Sequence, residues 1–208
     1  MKPSPWVVVT GLDGSGKSTL VFRIVVEHGA HHFRLPFHDF VHPALTLSGH
    51  GTPFGDVHTD RLVFAADARL TNYRIRRWRD EHPLVVSQRG WIDSFVFGAV
   101  QGQSYAEIDA LLRSADLERP TAIITLIADP DVAFARLRTD PKKDKYETRE
   151  FIEAQHRETL RLRQCIAEGD PALAAFAGIP ETLIDTTALN FEGVYKRAAR
   201  FLVDCEVI

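Results

Sequence analysis

A glycine-rich segment near the start of the chain combines small, cationic and hydroxyl residues at a fixed spacing. Residues 11–18 read Gly-Leu-Asp-Gly-Ser-Gly-Lys-Ser, which fits the pattern G-x-x-x-x-G-K-[ST] in full. Glycines allow a tight turn whose successive backbone N–H groups surround phosphate oxygens. Lys17 would reach β- and γ-phosphates, and the Ser18 hydroxyl would coordinate Mg²⁺. The predicted contacts to a nucleoside triphosphate are Gly11, Asp13, Gly14, Ser15, Gly16, Lys17, Ser18 and Thr19.

The stretches on either side of this segment predict the elements that its chemistry needs. Residues 6–10 form a short β-branched run, which predicts a buried central strand. Lys17 to about His28 predicts a helix, and Gly29 would end it. A helix that begins at the loop adds its positive dipole end to the phosphate site. The alternative is a chance match in a glycine-rich turn, and the strand–loop–helix order argues against it.

Apolar strands and helical stretches alternate along the rest of the chain, which is the pattern of a parallel sheet covered on both faces. Further strands are predicted at 33–37, 84–87, 121–127 and 182–184. One helix is predicted to begin at a cap at Thr59 or Asp60, and another at a capping box at Ser104. Further helices are predicted to begin at Asp129-Pro130 and at a cap at Asn190. A long helix is also predicted from the end of the basic segment to about Glu168. Together they predict a single α/β domain over residues 1–208 with about five parallel strands.

Composition narrows the class of protein. The chain has 208 residues, of which 45% are hydrophobic and 25% charged, with a formal net charge of −3; this is typical of one globular domain. Because stable binding to a polyanion usually needs a basic face, the charge argues against nucleic acid as the main partner. Cys165 and Cys205 form no CxxC pair, and no apolar run is long enough for a signal peptide or a membrane span. We therefore expect a cytoplasmic protein without membrane association.

Segments along nearly the whole chain resemble those of the thymidylate kinase family. Beyond the glycine-rich loop, 51–56 (Gly-Thr-Pro-Phe-Gly-Asp) resembles the family's G-T-P-x-G-E, and 62–67 (Leu-Val-Phe-Ala-Ala-Asp) is similar to its L-L-F-A-A-D helix. Residues 85–94 resemble its D-R-Y-x-D-S stretch, 144–147 its D-R-x-E lid, and 184–187 its late I-D-A turn. The segments follow one another in the family's order.

This resemblance implies a three-layer P-loop kinase fold with helices on both faces of the sheet and a short basic lid at about 139–150. It also implies phosphoryl transfer from ATP, with Mg²⁺, to a nucleoside monophosphate. On this interpretation Phe64 stacks on the acceptor base, and Arg89 binds the acceptor phosphate or bridges the two phosphates. Gln88 and Asp93 would lie with them on the acceptor side.

The resemblance also assigns roles on the donor side. The lid lysines, Lys143 and Lys145 among them, would neutralise charge on the transferred group. Arg136 would pack against adenine, with Thr186 on its other side. Asp13 would hold a Mg²⁺-bound water or an acceptor hydroxyl. Members of the family commonly form dimers through helices, so a homodimer is also expected.

The chain departs from the family's pattern mainly on the acceptor side. Gln88 replaces the aspartate that precedes the family's arginine, and a neutral amide cannot contribute the same charge. Ala68 stands where the family usually has an arginine that contacts the base, and Arg69 follows about 100° around the helix. Lys145 replaces the lid arginine, and a lysine cannot form the bidentate hydrogen bonds of a guanidinium. These departures predict retained ATP use and a changed acceptor, such as a modified pyrimidine deoxynucleotide.

Two other functions stay open from the sequence. A kinase acting on a nucleoside or hydroxymethyl-base hydroxyl would need a base such as Asp13 or Asp93. Alternatively, with Gln88 in place of the aspartate, the chain would be an ATP-binding, nucleic-acid-associated module with little transferase activity. Trp78 and the arginines around it would then contact nucleic acid. A GTPase is disfavoured because the chain has no N-K-x-D motif for guanine.

Overall fold

A parallel β-sheet forms the centre of the protein. The computed structural model describes residues 3–41, 56–138 and 148–208. The strands are β1 (Trp6–Gly11), β2 (His31–Arg34), β3 (Val85–Gln88), β4 (Ala122–Ile127) and β5 (Glu181–Asp185). They pair in parallel in a five-stranded sheet of order β2-β3-β1-β4-β5. The predicted α/β class with about five parallel strands is confirmed.

Helices follow most of the strands. They are α1 (Lys17–His28), α2 (Val57–Glu81), α3 (Ile92–Val100), α4 (Tyr105–Arg113), α5 (Pro130–Arg138), α6 (Arg149–Glu168) and α7 (Phe191–Asp204), with a short 3₁₀ helix at Pro171–Phe176. None of these helices in the described parts of the chain is both long and apolar enough to cross a bilayer.

Successive side chains of β1 point to opposite faces of the sheet, and all of them are buried. Trp6 and Val8 belong to one core cluster, to which α2, α3, α4 and α6 contribute. Val7 and Val9 belong to a second cluster, to which α1 and α7 contribute. Because helices cover both faces, β1 is apolar along its whole length rather than alternating. The predicted three-layer arrangement is therefore confirmed.

The predicted helix starts are confirmed with one exception, the start of α2. The capping box at Ser104 is present, because its hydroxyl accepts from the Glu107 N–H and the Glu107 carboxylate accepts from the Ser104 N–H. The predicted cap of α2 at Thr59 or Asp60 is wrong. Asp56 caps this helix, and its carboxylate accepts from the Thr59 N–H at 2.9 Å. An Asp whose side chain bonds the N–H three residues on is the usual cap arrangement.

The predicted strand at 33–37 is shifted, since β2 runs from His31 to Arg34. Leu35 still donates its N–H to the Gln88 carbonyl at 3.1 Å. Pro36 has no N–H, so it cannot continue the ladder. Two other predicted segments, 51–55 and most of the basic lid at 139–147, lie outside the described residues.

Candidate active site

The glycine-rich loop lies at the carboxyl end of β1, where ligands bind in open parallel α/β sheets. Gly11, Gly14 and Gly16 have positive φ angles of 115°, 78° and 94°. A Cβ at Gly11 would lie 1.9 Å from the Leu126 carbonyl oxygen, and one at Gly14 would lie 2.4 Å from that of Ala133. The loop can therefore pass this close to β4 and α5 only with glycine at these positions.

The Lys17 ammonium lies inside this turn. Its Nζ donates to the carbonyl oxygens of Gly11 at 2.9 Å and Leu12 at 2.7 Å, and to Asp13 Oδ1 at 3.1 Å. The side chain is only 4% exposed. Burial lowers the pKa of Lys17, and the neighbouring Asp13 carboxylate acts against that shift. The fold thus places the predicted phosphate-binding lysine at the centre of the loop.

Asp13 and Arg89 form an ion pair across the site, with 2.6 Å between Asp13 Oδ1 and Arg89 Nη2. Burial alone would raise the pKa of Asp13, but the charges of Arg89 and Lys17 outweigh it and hold that pKa well below its ordinary value. Asp13 is therefore an ionised carboxylate at neutral pH, shared by two cations. The pairing of β1 with β3 brings these predicted residues together.

The backbone of Arg89 is constrained. Arg89 directly follows β3 and has a φ of 71°, which is uncommon for a residue with a side chain. Its N–H donates to the Val9 carbonyl of β1 at 2.9 Å. Its guanidinium carbon lies 4.7 Å from the centroid of the Phe97 ring. Such strained backbone is typical of functional sites, where the surroundings hold it in place.

Asp93 lies in the first turn of α3 and is buried beside the same cluster. Its Oδ2 accepts from the Thr10 hydroxyl and from the Gly90 N–H, both at 2.8 Å. Its Oδ1 lies 3.9 Å from Arg89 Nη1. Burial raises the pKa of Asp93, and the positive charge of Arg89 and the two donors act against it. Asp93 therefore joins β1, the turn after β3 and α3 at the site.

The other predicted acceptor residues lie on elements around this cluster. Gln88 ends β3 and is buried. Phe64 is half-buried on α2. Ala68 is buried in the core, and Arg69 donates to the Ala115 carbonyl at 2.6 Å, beyond the end of α4. Arg69 is thus held by the loop after α4, and it does not take the place of an arginine at position 68.

Arg136 connects the glycine-rich loop to the turn after β5. Its Nη1 lies 3.1 Å from the Thr186 hydroxyl and 3.4 Å from the Gly14 carbonyl oxygen, and its Nη2 donates to the Thr186 carbonyl at 2.9 Å. The fold therefore brings together Arg136 and Thr186, the two residues predicted beside the donor base, at the edge of the loop.

Gln155 of α6 is a site residue that the sequence did not indicate. Its Oε1 accepts from the Asp13 N–H at 3.2 Å, and the residue is only 1% exposed. It holds the backbone of the loop at the residue that pairs with Lys17 and Arg89. The available signal was a polar residue on the buried face of α6, between Ile152 and Leu162.

The predicted Mg²⁺ contacts are Ser18, which is exposed in the first turn of α1 beside Thr19, and the Asp13 carboxylate. Across residues 3–41, 56–138 and 148–208, no three His, Cys, Asp or Glu side chains are grouped to hold a metal. Mg²⁺ at nucleotide sites uses one or two protein ligands and takes the rest from phosphates and water. The Ser18 hydroxyl and the Asp13 carboxylate are oxygen ligands of the kind and number that this requires. The predicted lid residues Lys143 and Lys145 lie outside the described part of the chain.

Comparison with known proteins finds similarity to thymidylate kinases. No family model matches the chain. A probable thymidylate kinase of Pyrobaculum calidifontis is 28% identical over 200 residues, which cover 88% of this chain and 94% of the relative. One of Pyrobaculum aerophilum is 29% identical over 202 residues, covering 94% and 98%. A solved thymidylate kinase of Candida albicans matches with a TM-score of 0.77 and 15% identity, over 99% of this chain and 93% of that chain. The predicted resemblance to thymidylate kinases is confirmed.

Proposed function

We propose that this thymidylate kinase-like chain is a nucleotide kinase that transfers the γ-phosphoryl group of ATP to a nucleoside monophosphate. The cluster of Lys17, Asp13 and Arg89 carries the proposal. It links a lysine inside the triphosphate loop to an arginine at the end of the neighbouring strand through one shared carboxylate. Donor and acceptor phosphates bound to these two cations would be neighbours.

Phosphoryl transfer to a phosphate oxygen depends on positioning and charge stabilisation rather than on proton removal. The loop N–H groups and Lys17 would hold the β- and γ-phosphates. Ser18 would hold Mg²⁺, which would supply positive charge beside those phosphates. Arg89 would bind the acceptor phosphate, and Asp13 would keep both cations oriented toward the transferred group. Gln155 would keep the Asp13 backbone in place.

The lowered pKa of Asp13 argues against its use as a general base on an acceptor hydroxyl. A general base for such a reaction works best with a pKa near the operating pH, whereas Arg89 and Lys17 hold the pKa of Asp13 far below it. Burial raises the pKa of Asp93, but its Oδ2 accepts hydrogen bonds from Thr10 and Gly90, which fix this carboxyl group between β1 and α3. An acceptor phosphate is an anion and needs no base, so we favour a monophosphate.

Three of the arginines that suggested a nucleic-acid contact are ion-paired, namely Arg76, Arg77 and Arg79. Arg76 and Arg79 lie 2.6 and 2.9 Å from Glu118, and Arg77 lies 2.7 Å from Glu81. Two of these pairs fasten the second half of α2 to the segment after α4. The arginines therefore have a role in the fold, and we do not propose a nucleic-acid-associated module.

A panel of acceptors tests the proposed function. We expect ADP release with ATP–Mg²⁺ and deoxynucleoside monophosphates, and none with the matching deoxynucleosides. The departures at Gln88 and Ala68 support highest activity with a 5-modified pyrimidine monophosphate such as 5-hydroxymethyl-dUMP. Steady-state kcat/KM values measure this, with dTMP, dUMP and dCMP as references. Turnover of nucleosides alone would contradict the proposal, and a clear preference for dTMP would remove the modified acceptor from it.

An apolar stripe on α2 supports the expected homodimer. Leu62, Leu70 and Tyr73 are 58%, 47% and 54% exposed, and their spacing places them along one side of the helix. We propose that this stripe packs against the same stripe of a second copy. Large exposed apolar side chains in a row commonly mark interfaces between proteins.

The substitution Leu70→Asp is expected to dissociate this dimer. A buried charge at an apolar contact costs about 3 kcal/mol or more, which raises Kd about 100-fold. Sedimentation velocity at micromolar concentration should give twice the 23.4 kDa chain mass for the wild type and the single chain mass for the variant. Val203→Asp, at a 57% exposed position on α7, is the matched control and should stay dimeric. A monomeric wild type would contradict the homodimer.

A further inference from the structure

A buried tyrosine joins the first residue of α4 to the middle of α6. Tyr105 is only 6% exposed, and its hydroxyl donates to Glu158 Oε1. Burial raises the pKa of Tyr105, and the Glu158 carboxylate raises it further. The phenol therefore stays protonated at neutral pH and remains the donor in this hydrogen bond.

Arg161 lies beside this pair, one turn further along α6. Its Nη1 is 3.4 Å from each carboxylate oxygen of Glu158. Its guanidinium carbon lies 5.2 Å from the centroid of the Tyr105 ring. The Glu158 carboxylate is thus held by a buried hydroxyl and by a cation, and these contacts fix this turn of α6 relative to α4.

A second contact fixes α6 two turns earlier. The ring of Phe151 stacks on that of Phe97 from α3, with 5.9 Å between centroids and 21° between planes. Residues 151, 155 and 158 of α6 are four and three apart, so they lie along one side of the helix, within about 10 Å. Between the two fixed points lies Gln155, whose Oε1 accepts from the Asp13 N–H. The contacts of Phe151 and Glu158 therefore determine where the Gln155 amide lies.

The hydrogen bond from Asp13 to Gln155 is sensitive to the position of α6. Its length of 3.2 Å is at the upper end of the usual range, so a small displacement of the helix would break it. The side chain of Asp13 pairs with both Lys17 and Arg89, and its place between these cations follows from the backbone that carries it. A displacement of about 1 Å in groups that orient reactants can cost about 100-fold in rate.

We propose that Tyr105 and Glu158 are positioning residues for phosphoryl transfer, which act through Gln155 on the backbone of Asp13. This inference rests on the proposed function, because its effect appears in the rate of transfer. Alignment of donor and acceptor matters most in the transition state, so its loss lowers kcat more than it raises KM. A hydrogen bond with only a structural role would change the stability of the protein and leave kcat of the folded enzyme unchanged.

A double-mutant cycle on kcat tests the connection. Tyr105→Phe removes only the hydroxyl, and we expect kcat with ATP–Mg²⁺ and the best monophosphate to fall about tenfold, with both KM values within about threefold of the wild type. Gln155→Leu should lower kcat about 100-fold. Because Tyr105 acts through Gln155, the double variant should be no slower than Gln155→Leu. Independent effects would instead multiply to about 1,000-fold.

Tyr195→Phe is the matched control. Tyr195 is 8% exposed on α7, and its hydroxyl donates to Glu27 Oε2 of α1 at 2.9 Å. The substitution therefore breaks the same kind of bond on the other face of the sheet. We expect kcat of this variant to equal that of the wild type. Urea denaturation of both tyrosine variants shows whether a similar loss of stability by itself changes kcat.

Each outcome decides the inference. Wild-type kcat in Tyr105→Phe, an equal loss of kcat in Tyr195→Phe, or a double variant about tenfold slower than Gln155→Leu would overturn it and leave the kinase proposal standing. A wild type that phosphorylates no monophosphate would overturn the proposed function and this inference with it.

Two substitutions of Glu158 decide the inference if a Tyr105 or Gln155 variant fails to fold. Glu158→Gln keeps an acceptor for the Tyr105 hydroxyl and should retain kcat within about threefold of the wild type. Glu158→Leu removes the acceptor and should lower kcat about tenfold. Equal kcat values in these two variants would contradict the inference.

Discussion

Lys17→Ala is expected to lower kcat/KM for phosphoryl transfer by about 1,000-fold or more. The Nζ of Lys17 is held in the glycine-rich loop by the carbonyls of Gly11 and Leu12, and it is the cation placed for the β- and γ-phosphates. Removing a charge that acts on the transition state in a water-excluded site typically costs this much. Release of ADP with ATP–Mg²⁺ and the best monophosphate measures the effect.

The loss should come from chemistry and donor binding rather than from unfolding. Asp13 keeps its ion pair with Arg89 in this variant, so we expect an unchanged far-UV circular dichroism spectrum. Calorimetry should show weaker triphosphate binding. Lys196→Ala, at an exposed position on α7, controls for the loss of a lysine elsewhere. Turnover of Lys17→Ala within tenfold of the wild type would refute the assignment of this residue.

The second large effect is expected for Arg89→Met, which keeps an apolar stem and removes the charge. We expect kcat/KM to fall by about 1,000-fold, since an arginine that stabilises a transferring phosphoryl group is worth at least that much. Arg89→Lys retains the charge without the planar fork, so its loss should be smaller. Equal losses in both variants would indicate that the shape of the guanidinium, and not its charge, carries the effect.

The Arg89→Met substitution should also change the dependence of stability on pH. Because the pKa of Asp13 is lowered in the fold, its carboxylate stabilises the protein above its unfolded pKa of about 3.9. That contribution is lost as the pH falls toward the folded pKa. Without Arg89, only Lys17 opposes the effect of burial, so the pKa of Asp13 is higher than in the wild type and the contribution is smaller. The stability difference between wild type and variant should therefore shrink below about pH 4.

Urea denaturation at several pH values measures this difference. The variant leaves the buried Asp13 carboxylate with Lys17 as its remaining cation. Because breaking a buried ion pair is strongly destabilising, we expect the variant to be about 3 kcal/mol less stable at pH 7. Asp93, which also faces Arg89, should shift in the same direction as Asp13. A stability difference that stays constant from pH 7 to pH 3 would contradict the ion-pair account.

The sequence predicts those parts of the fold in which a single local feature, such as a tight turn or a strand buried on both faces, determines the residue types. The glycine-rich loop needs glycine where the backbone turns, and β1 is apolar throughout because it is buried on both faces. The helix α3 was not predicted, since Ile92–Val100 is largely apolar and shows no period that separates a helix from a strand. The end of β2 was misplaced because apolar residues continue past Pro36.

The site was predicted as separate residues rather than as a cluster. Asp13 and Arg89 are far apart in sequence, and only the pairing of β1 with β3 brings them to 2.6 Å. Gln155 was missed because a glutamine on an amphipathic helix does not indicate its partner.

The two cations Lys17 and Arg89 face the carboxylates of Asp13 and Asp93. Opposite charges this close together cancel at a distance, so these four side chains by themselves add little field that would attract phosphates from solution. This cluster should therefore contribute little to the rate at which nucleotides arrive, or to the dependence of that rate on ionic strength. Discrimination between nucleotides should therefore appear in their dissociation rates, because short-range hydrogen bonds act only once a nucleotide is bound.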